Sequence, residues 1–228
     1  GCFALVNTGK AVPHSVNRLR ATCAYRAKGE TAYAIEGSIF IAGAVVQWLR
    51  DALGVIRSAA EIEALASTAK AADGLYFVPA FTGLGAPYWD PDARGAILGL
   101  TRDMGAAEIA RAALDAVCYQ TRDLLDAMAR DMKGKPASMK VDGGMVKNDW
   151  FCQRLADLTG LPVERPVVTE TTALGAAYLA GLAAGVFRDF SDIAKAWALD
   201  RRFEPALSAP MRDALYDGWK KAIAKVQS

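Results

Sequence analysis

The sequence contains a single histidine, His14, among 228 residues. One imidazole cannot build a metal site from several histidines, and no second histidine is available for a Ser-His-Asp triad. Because His14 lies in the loop-like segment Val-Pro-His-Ser, we expect it at the surface rather than in catalysis. We assign no metal ligand in this chain.

Cysteines are also scarce, and the four that occur form no Cys-x-x-Cys pair. They are Cys2, Cys23, Cys118 and Cys152, and each lies within an apolar pattern. Such spacing indicates structural thiols in a reducing cytosol rather than a disulfide framework. We therefore expect a cytoplasmic protein.

Neither charge is in strong excess, since 27 Lys and Arg face 25 Asp and Glu for a net charge of +2. This balance, with basic residues scattered along the chain, argues against a nucleic-acid or membrane surface. No apolar run approaches the ~20 residues that span a bilayer, and the start lacks a secretory signal pattern. The chain begins at Gly1 in strand-like sequence, so we expect it to be cut from a longer protein.

The standard nucleotide-binding signatures are missing as well. Gly9-Lys10 lacks the first glycine of a phosphate-binding loop, because Ala4 occupies that position. A dinucleotide fingerprint begins at Gly83 and Gly85, but Tyr88 replaces its third glycine. Any phosphate site in this protein must use another architecture.

What the sequence does contain is an order of strands and helices. Periodicity predicts strands over 2–8, 18–26, 31–36, 75–79, 96–100, 138–141 and 162–165, and helices over 37–53, within 59–72, and over 106–132, 148–160, 172–184 and 209–226. There is no internal repeat or long linker, so residues 1–228 are predicted to form one α/β domain. Three early strands followed by strand–helix alternation favour a ribonuclease-H-like fold of the actin/hexokinase type, with a mixed five-stranded sheet flanked by helices.

The most informative segment runs from 138 to 160. A short apolar run, predicted as a buried strand, stops at Asp142-Gly143-Gly144, and a helical pattern follows from Asn148. Two glycines let backbone pass close to a ligand, and the start of the next helix favours anions and polar ligand edges. The residues alone leave two interpretations open, a nucleotide contact or a tight turn where strand and helix pack.

Three other segments have both a functional and a structural interpretation. Gly43 and Gln47 share a helix face, where a flat ligand would meet an amide, although helix packing is favoured. The irregular loop 81–94 carries three aromatic residues, and such loops are often functional. Its carboxylates Asp90 and Asp92 are expected to cap turns rather than bind metal. The small residues of 172–181 predict close packing of a helix on the sheet.

Together these segments resemble the C-terminal half of the FGGY carbohydrate kinases, across essentially the whole chain. The resemblance rests on four stretches in the right order. They are NTG (7–9), EGSIFIAGAVVQWLRD (36–51), FTGLGAPYWDPDARGAILGLTR (81–102) and VDGGMVKND (141–149). The third stretch is most similar to the members of the family that phosphorylate glycerol.

The resemblance implies functions for five residues. Gly43, Gln47, Gly144 and Asn148 correspond to family contacts with the nucleotide, and Phe3 corresponds to an aromatic residue that lines the glycerol pocket. It also implies ATP with Mg²⁺, glycerol held with an N-terminal polyol-binding lobe that is absent from this chain, and a homo-oligomer.

The family's catalytic aspartate lies upstream of residue 1, so the resemblance assigns no catalytic residue here and implies that the chain alone is inactive. Asp142 and Asp90 are expected to have structural roles. Two alternatives stay open. One is a kinase of the same family for another polyol or sugar, and the other is a non-catalytic, actin-like module that uses nucleotide as a switch.

Overall fold

The computed structural model describes residues 1–70, 73–132 and 134–227, and it opens with a small antiparallel sheet. Its strands are β1 (Cys2–Gly9), β2 (Arg20–Ala27) and β3 (Glu30–Ile39), as the sequence predicts within a few residues. β3 lies in the centre and pairs with both others. Side chains along β1 alternate between half-buried and exposed, so one face of the sheet covers the core.

The remaining elements alternate between helix and short strand. In chain order they are α1 (Gly43–Asp51), α2 (Glu61–Ser67), β4 (Tyr76–Val78), β5 (Ala96–Leu98), α3 (Ala106–Met132), β6 (Met139–Lys140), α4 (Asp149–Thr159), β7 (Val163–Pro166), α5 (Thr171–Ala183), α6 (Phe190–Lys195), β8 (Leu199–Phe203) and α7 (Ala209–Val226). The α/β architecture agrees with the prediction. No helix in the described ranges is both long enough and apolar enough to cross a membrane.

The centre of the core is α3, whose bounds match the prediction residue for residue. This helix packs against α1, α2, α4, β3 and β4, and side chains around nearly its whole circumference are buried. A helix enclosed in this way must also bury polar groups, and these require partners. Asp115 meets that need through a bidentate pair with Arg154 of α4, at 2.8 and 2.7 Å.

A second buried carboxylate on α3, Asp123, joins that helix to α7. It accepts hydrogen bonds from the Tyr216 hydroxyl at 2.6 Å and the Trp219 indole nitrogen at 2.9 Å. Tyr88, from the loop 81–94, also bonds to it. Trp219 is fully buried and stacks on Tyr119, so the network lies inside the hydrophobic core.

The prediction of one five-stranded sheet is wrong. The described strands form three separate sheets, with orders β1-β3-β2, β4-β5 and β6-β7-β8. Only the last is mixed, since β6 pairs parallel to β7 and β8 pairs antiparallel to it. β6 is two residues long and half exposed, not the buried strand that was expected, and its ladder extends only to β7.

Three helix predictions also need correction. The helix predicted from Gly37 begins at Gly43, because Gly37 pairs with Ala4 inside β3. The predicted helix within 59–72 ends at Ser67, and positions 71–72 lie outside the described residues. Close packing of α5 on a sheet is not observed, since Leu182 is its one buried residue.

The thiols divide by environment. Cys118 and Cys152 are fully buried, and burial raises the pKa of both, that of Cys152 to about 11. These two are structural, as expected. The prediction of a structural thiol is wrong for Cys23. This residue is exposed on β2, a strand of which one face is open to solvent.

Candidate functional site

The glycine pair forms a tight turn whose backbone is open on one side. Gly143 has φ +88° and ψ −177°, a conformation available essentially only to glycine, and its N–H donates to the Thr169 carbonyl at 2.8 Å. Gly144 then begins a single 3₁₀ turn, Gly144–Lys147. A β-carbon built on Gly144 would meet no atom of the described residues within 4 Å. A ligand can therefore approach this backbone directly.

The two polar atoms of the Asn148 side chain differ in their hydrogen bonding. Its Oδ1 accepts the Phe151 N–H at 2.7 Å and so caps the N-terminus of α4. Its Nδ2 is buried and makes no hydrogen bond within the described residues. A buried donor without a partner costs roughly 1–3 kcal/mol, so this amide is suited to donate to a bound ligand.

Gly43 lies beside this turn. It is the first residue of α1, where free N–H groups and the helix dipole favour negative charge. A β-carbon built on Gly43 would lie 3.6 Å from Met145 Cγ and 3.8 Å from its Sδ. Gln47 follows one turn later and is exposed. The structure thus brings α1 and the glycine turn together.

Arg165 of β7 holds the 3₁₀ turn Gly144–Lys147 in place through hydrogen bonds. Its Nη1 donates to the Val146 carbonyl at 2.8 Å and to Asp149 at 2.7 Å, while its Nε donates to Asp200 at 2.7 Å. An open cavity of about 290 Å³ adjoins this arginine and is also lined by Lys147. Sequence reasoning missed Arg165, since one arginine near the end of a predicted strand carries no signal of the carbonyl that it holds.

The two candidate carboxylates have structural partners. Asp142 accepts a hydrogen bond from the Thr171 hydroxyl, and burial, aided by nearby Glu170, raises its pKa. Asp90 accepts the backbone N–H groups of Asp92 and Ala93, each at 3.0 Å. Both observations agree with the structural roles expected for Asp142 and Asp90.

Two other predicted residues lie away from the turn. Phe3 is 65% exposed on β1 and faces Ser38 across the ladder, in a sheet that does not contain the turn. His14 is exposed, as expected. The structure therefore groups Gly43, Gly144 and Asn148, with Gln47 on the adjoining helix, and leaves Phe3 apart from them.

Comparison with known proteins gives consistent matches. Residues 1–184 match the model of the FGGY family of carbohydrate kinases, C-terminal domain. Glycerol kinase of Alcanivorax borkumensis is 59% identical over 226 residues, which are 99% of this chain and 45% of that protein. Glycerol kinase of Rhizobium rhizogenes is 62% identical over 231 residues, covering 100% of this chain and 46% of that protein.

Solved structures agree with these matches. A glycerol kinase from Plasmodium falciparum with ADP superposes with a TM-score of 0.89 at 32% identity, over 98% of this chain and 45% of that one. A xylulose kinase from Rhodospirillum rubrum gives 0.80 at 25% identity, with the same coverage of 98% and 45%. The chain thus spans a little under half the length of the relatives that it matches.

Proposed function

The chain belongs to the FGGY family of carbohydrate kinases, and we propose that it forms the nucleotide-binding lobe of a glycerol kinase. The complete enzyme would transfer the γ-phosphoryl group of ATP to a terminal hydroxyl of glycerol, giving sn-glycerol 3-phosphate and ADP. Similarity to bacterial glycerol kinases along the whole chain favours glycerol over other polyols.

The observation that carries the proposal is the convergence of open backbone and an unsatisfied donor on one turn. Among the described residues, none fills the space where a side chain on Gly144 would project, and none forms a hydrogen bond with the buried amide nitrogen of Asn148. Gly43 adds the N-terminus of α1 within reach of the same turn. Small residues, free N–H groups and a positive helix end suit a nucleotide.

In this proposal each residue has a distinct task. Gly144 lets the nucleotide lie against backbone, and Asn148 Nδ2 donates a hydrogen bond to it. Gly43 provides close approach at the start of α1, and Gln47 offers a donor and an acceptor one turn further along. These residues bind and orient the nucleotide, which is most of what phosphoryl transfer requires of a protein.

The complete enzyme also needs Mg²⁺, a glycerol pocket and a catalytic base. The described residues contain no group of three His, Cys, Asp or Glu able to hold a metal. Mg²⁺ usually keeps several waters and binds through substrate phosphates, so we propose that it enters with ATP. The catalytic base would come from an N-terminal polyol-binding lobe, and Phe3 would line the glycerol pocket. We expect no kinase activity from this chain alone.

Calorimetric titration of this chain with ADP and ATP tests the nucleotide site. We expect saturable binding that Gly144→Val abolishes, because the new side chain fills the space that the ligand needs. Gly134→Val is the matched control, since a β-carbon at Gly134 also meets nothing within 4 Å. It should bind as the wild type does. Equal binding by both variants, or no binding by the wild-type chain, would contradict a preformed site.

A finer test separates the two ends of Asn148. Asn148→Asp keeps an oxygen to cap α4 but replaces the unsatisfied N–H donor with an acceptor. We expect the melting temperature to be retained and ADP affinity to fall. Undiminished ADP affinity in this variant would remove Asn148 from the nucleotide site.

The identity of the second substrate is tested on a protein that includes both lobes. We expect glycerol to be preferred over xylulose and gluconate in a coupled assay for ADP release. A preference for either sugar substrate would place the protein elsewhere in the same family. The wider proposal also includes a cytoplasmic homo-oligomer, which size measurements on that protein would test.

A further inference from the structure

Met145 lies between the two halves of the proposed site. It is the second residue of the 3₁₀ turn, half-buried, and its side chain packs against the edge of the core. Its Cγ and Sδ lie 3.6 and 3.8 Å from the position that a β-carbon on Gly43 would occupy. Because that position is itself about 1.5 Å from Gly43 Cα, the thioether side chain lies no more than about 5 Å from the backbone of Gly43, at the start of α1.

The backbone that carries Met145 is held in place. The neighbouring Val146 carbonyl accepts Arg165 Nη1 at 2.8 Å and the Cys152 thiol at 3.2 Å. On the other side, Gly143 N–H donates to Thr169. Because the backbone is held at both ends of the turn, only the side chain of Met145 is free to change its conformation when a ligand binds.

The spacing leaves no room for a flat ring between Gly43 and Met145. Carbon atoms in contact lie about 3.5–4.0 Å apart, so a ring between two surfaces needs about 7 Å. A ring that binds against Gly43 therefore requires Met145 to move. An unbranched side chain with three rotatable bonds does this readily, and its sulfur makes favourable contacts with aromatic rings.

We propose that Met145 is a further nucleotide-binding residue, whose side chain moves off Gly43 and packs on the purine base as an adjustable wall. This inference rests on the proposed function. Sulfur–aromatic contacts correspond to an affinity loss of about 2- to 10-fold when the sulfur is removed. We expect that loss of ADP affinity in Met145→Leu, which keeps the volume but removes the sulfur, and a larger loss in Met145→Ala, which also removes the packing area.

The test combines calorimetry with NMR of methyl-¹³C-methionine in this chain. The sequence has six methionines, and Met145→Leu identifies the resonance of interest by its disappearance. We expect ADP to shift the Met145 methyl resonance strongly through the ring current of the base. Inorganic pyrophosphate, which has no ring, should not. Met211, 57% exposed on α7, provides an internal control that should stay in place.

The outcomes distinguish this inference from the function on which it rests. ADP binding with an unmoved Met145 resonance, or with unchanged or higher affinity in Met145→Ala, would overturn the role of Met145 and leave the nucleotide site standing. A fall in the melting temperature of Met145→Ala with equal losses for ADP and pyrophosphate would mark a structural role and also overturn it. No ADP binding by the wild-type chain would overturn both.

Discussion

We expect the free energy of unfolding to fall as pH rises from about 4 to about 7, through the carboxyl group of Asp123. Burial raises the pKa of this carboxyl to about 6, although hydrogen bonds from Tyr216, Trp219 and Tyr88 oppose the rise, and the charge of Asp126 adds to it. In the unfolded chain the pKa returns to about 3.9. Asp123 itself is only 4% exposed, so solvent screens the effect little.

The direction follows from proton counts. Between pH 4 and pH 6 the folded state holds the proton of Asp123 while the unfolded state has released it, so raising the pH favours unfolding. A gap of about 2 pKa units corresponds to about 3 kcal/mol. That contribution is fully present below about pH 4 and is lost above about pH 7.

Urea unfolding at several pH values measures the effect, with Asp123→Asn as the comparison. The amide can still accept the Trp219 N–H and donate to the Tyr216 hydroxyl, but it does not titrate. Stability of the variant relative to wild type should therefore rise by about 2 kcal/mol between pH 4 and pH 7, most of the full difference. Parallel profiles, with a constant difference between the two proteins, would refute the reasoning.

Three further predictions concern stability. Asp115→Ala should cost about 3–5 kcal/mol in urea unfolding because it leaves Arg154 buried without its partner, whereas Asp115→Leu with Arg154→Met should cost much less; equal losses would contradict the pairing argument. Gly83→Ala should lower the melting temperature by several degrees, since its φ is +85° and a β-carbon would lie 2.6 Å from the Asp90 carbonyl; an unchanged value would show that the loop can relax. Asn148→Ala should cost about 1 kcal/mol through loss of the α4 cap, and a neutral effect would mean that the cap is dispensable.

Local pattern predicted the long helices well and the sheets poorly. α3 and α7 have the predicted bounds because amphipathic spacing over many turns is a strong signal. Pairing between strands depends on edges distant in sequence, so the short β6 gave no sign that its ladder stops at β7. β8 was missed because Asp200, Arg201 and Arg202 interrupt any apolar alternation.

The candidate site was predictable in composition but not in geometry. Two glycines between strand and helix indicated an open turn at Gly144, and the structure leaves that space free. Asn148 has a double role, since its oxygen caps α4 while its amide nitrogen has no partner in the part of the chain that the structure describes, and this depends on how the amide is oriented in space. The proximity of Met145 to Gly43 of α1 brings together residues about a hundred positions apart, which no local pattern encodes.

The exposure of α5 has a practical consequence for anyone who prepares this chain. Ala173, Ala176, Ala177 and Ala180 are all exposed, so a single helix presents a row of methyl groups to solvent, and we expect this surface to promote self-association when the sample is concentrated. Glutamate and lysine favour helices almost as strongly as alanine does. Replacing those four alanines with glutamate or lysine should therefore keep the helix and give a sample that stays monomeric at the concentrations required for NMR.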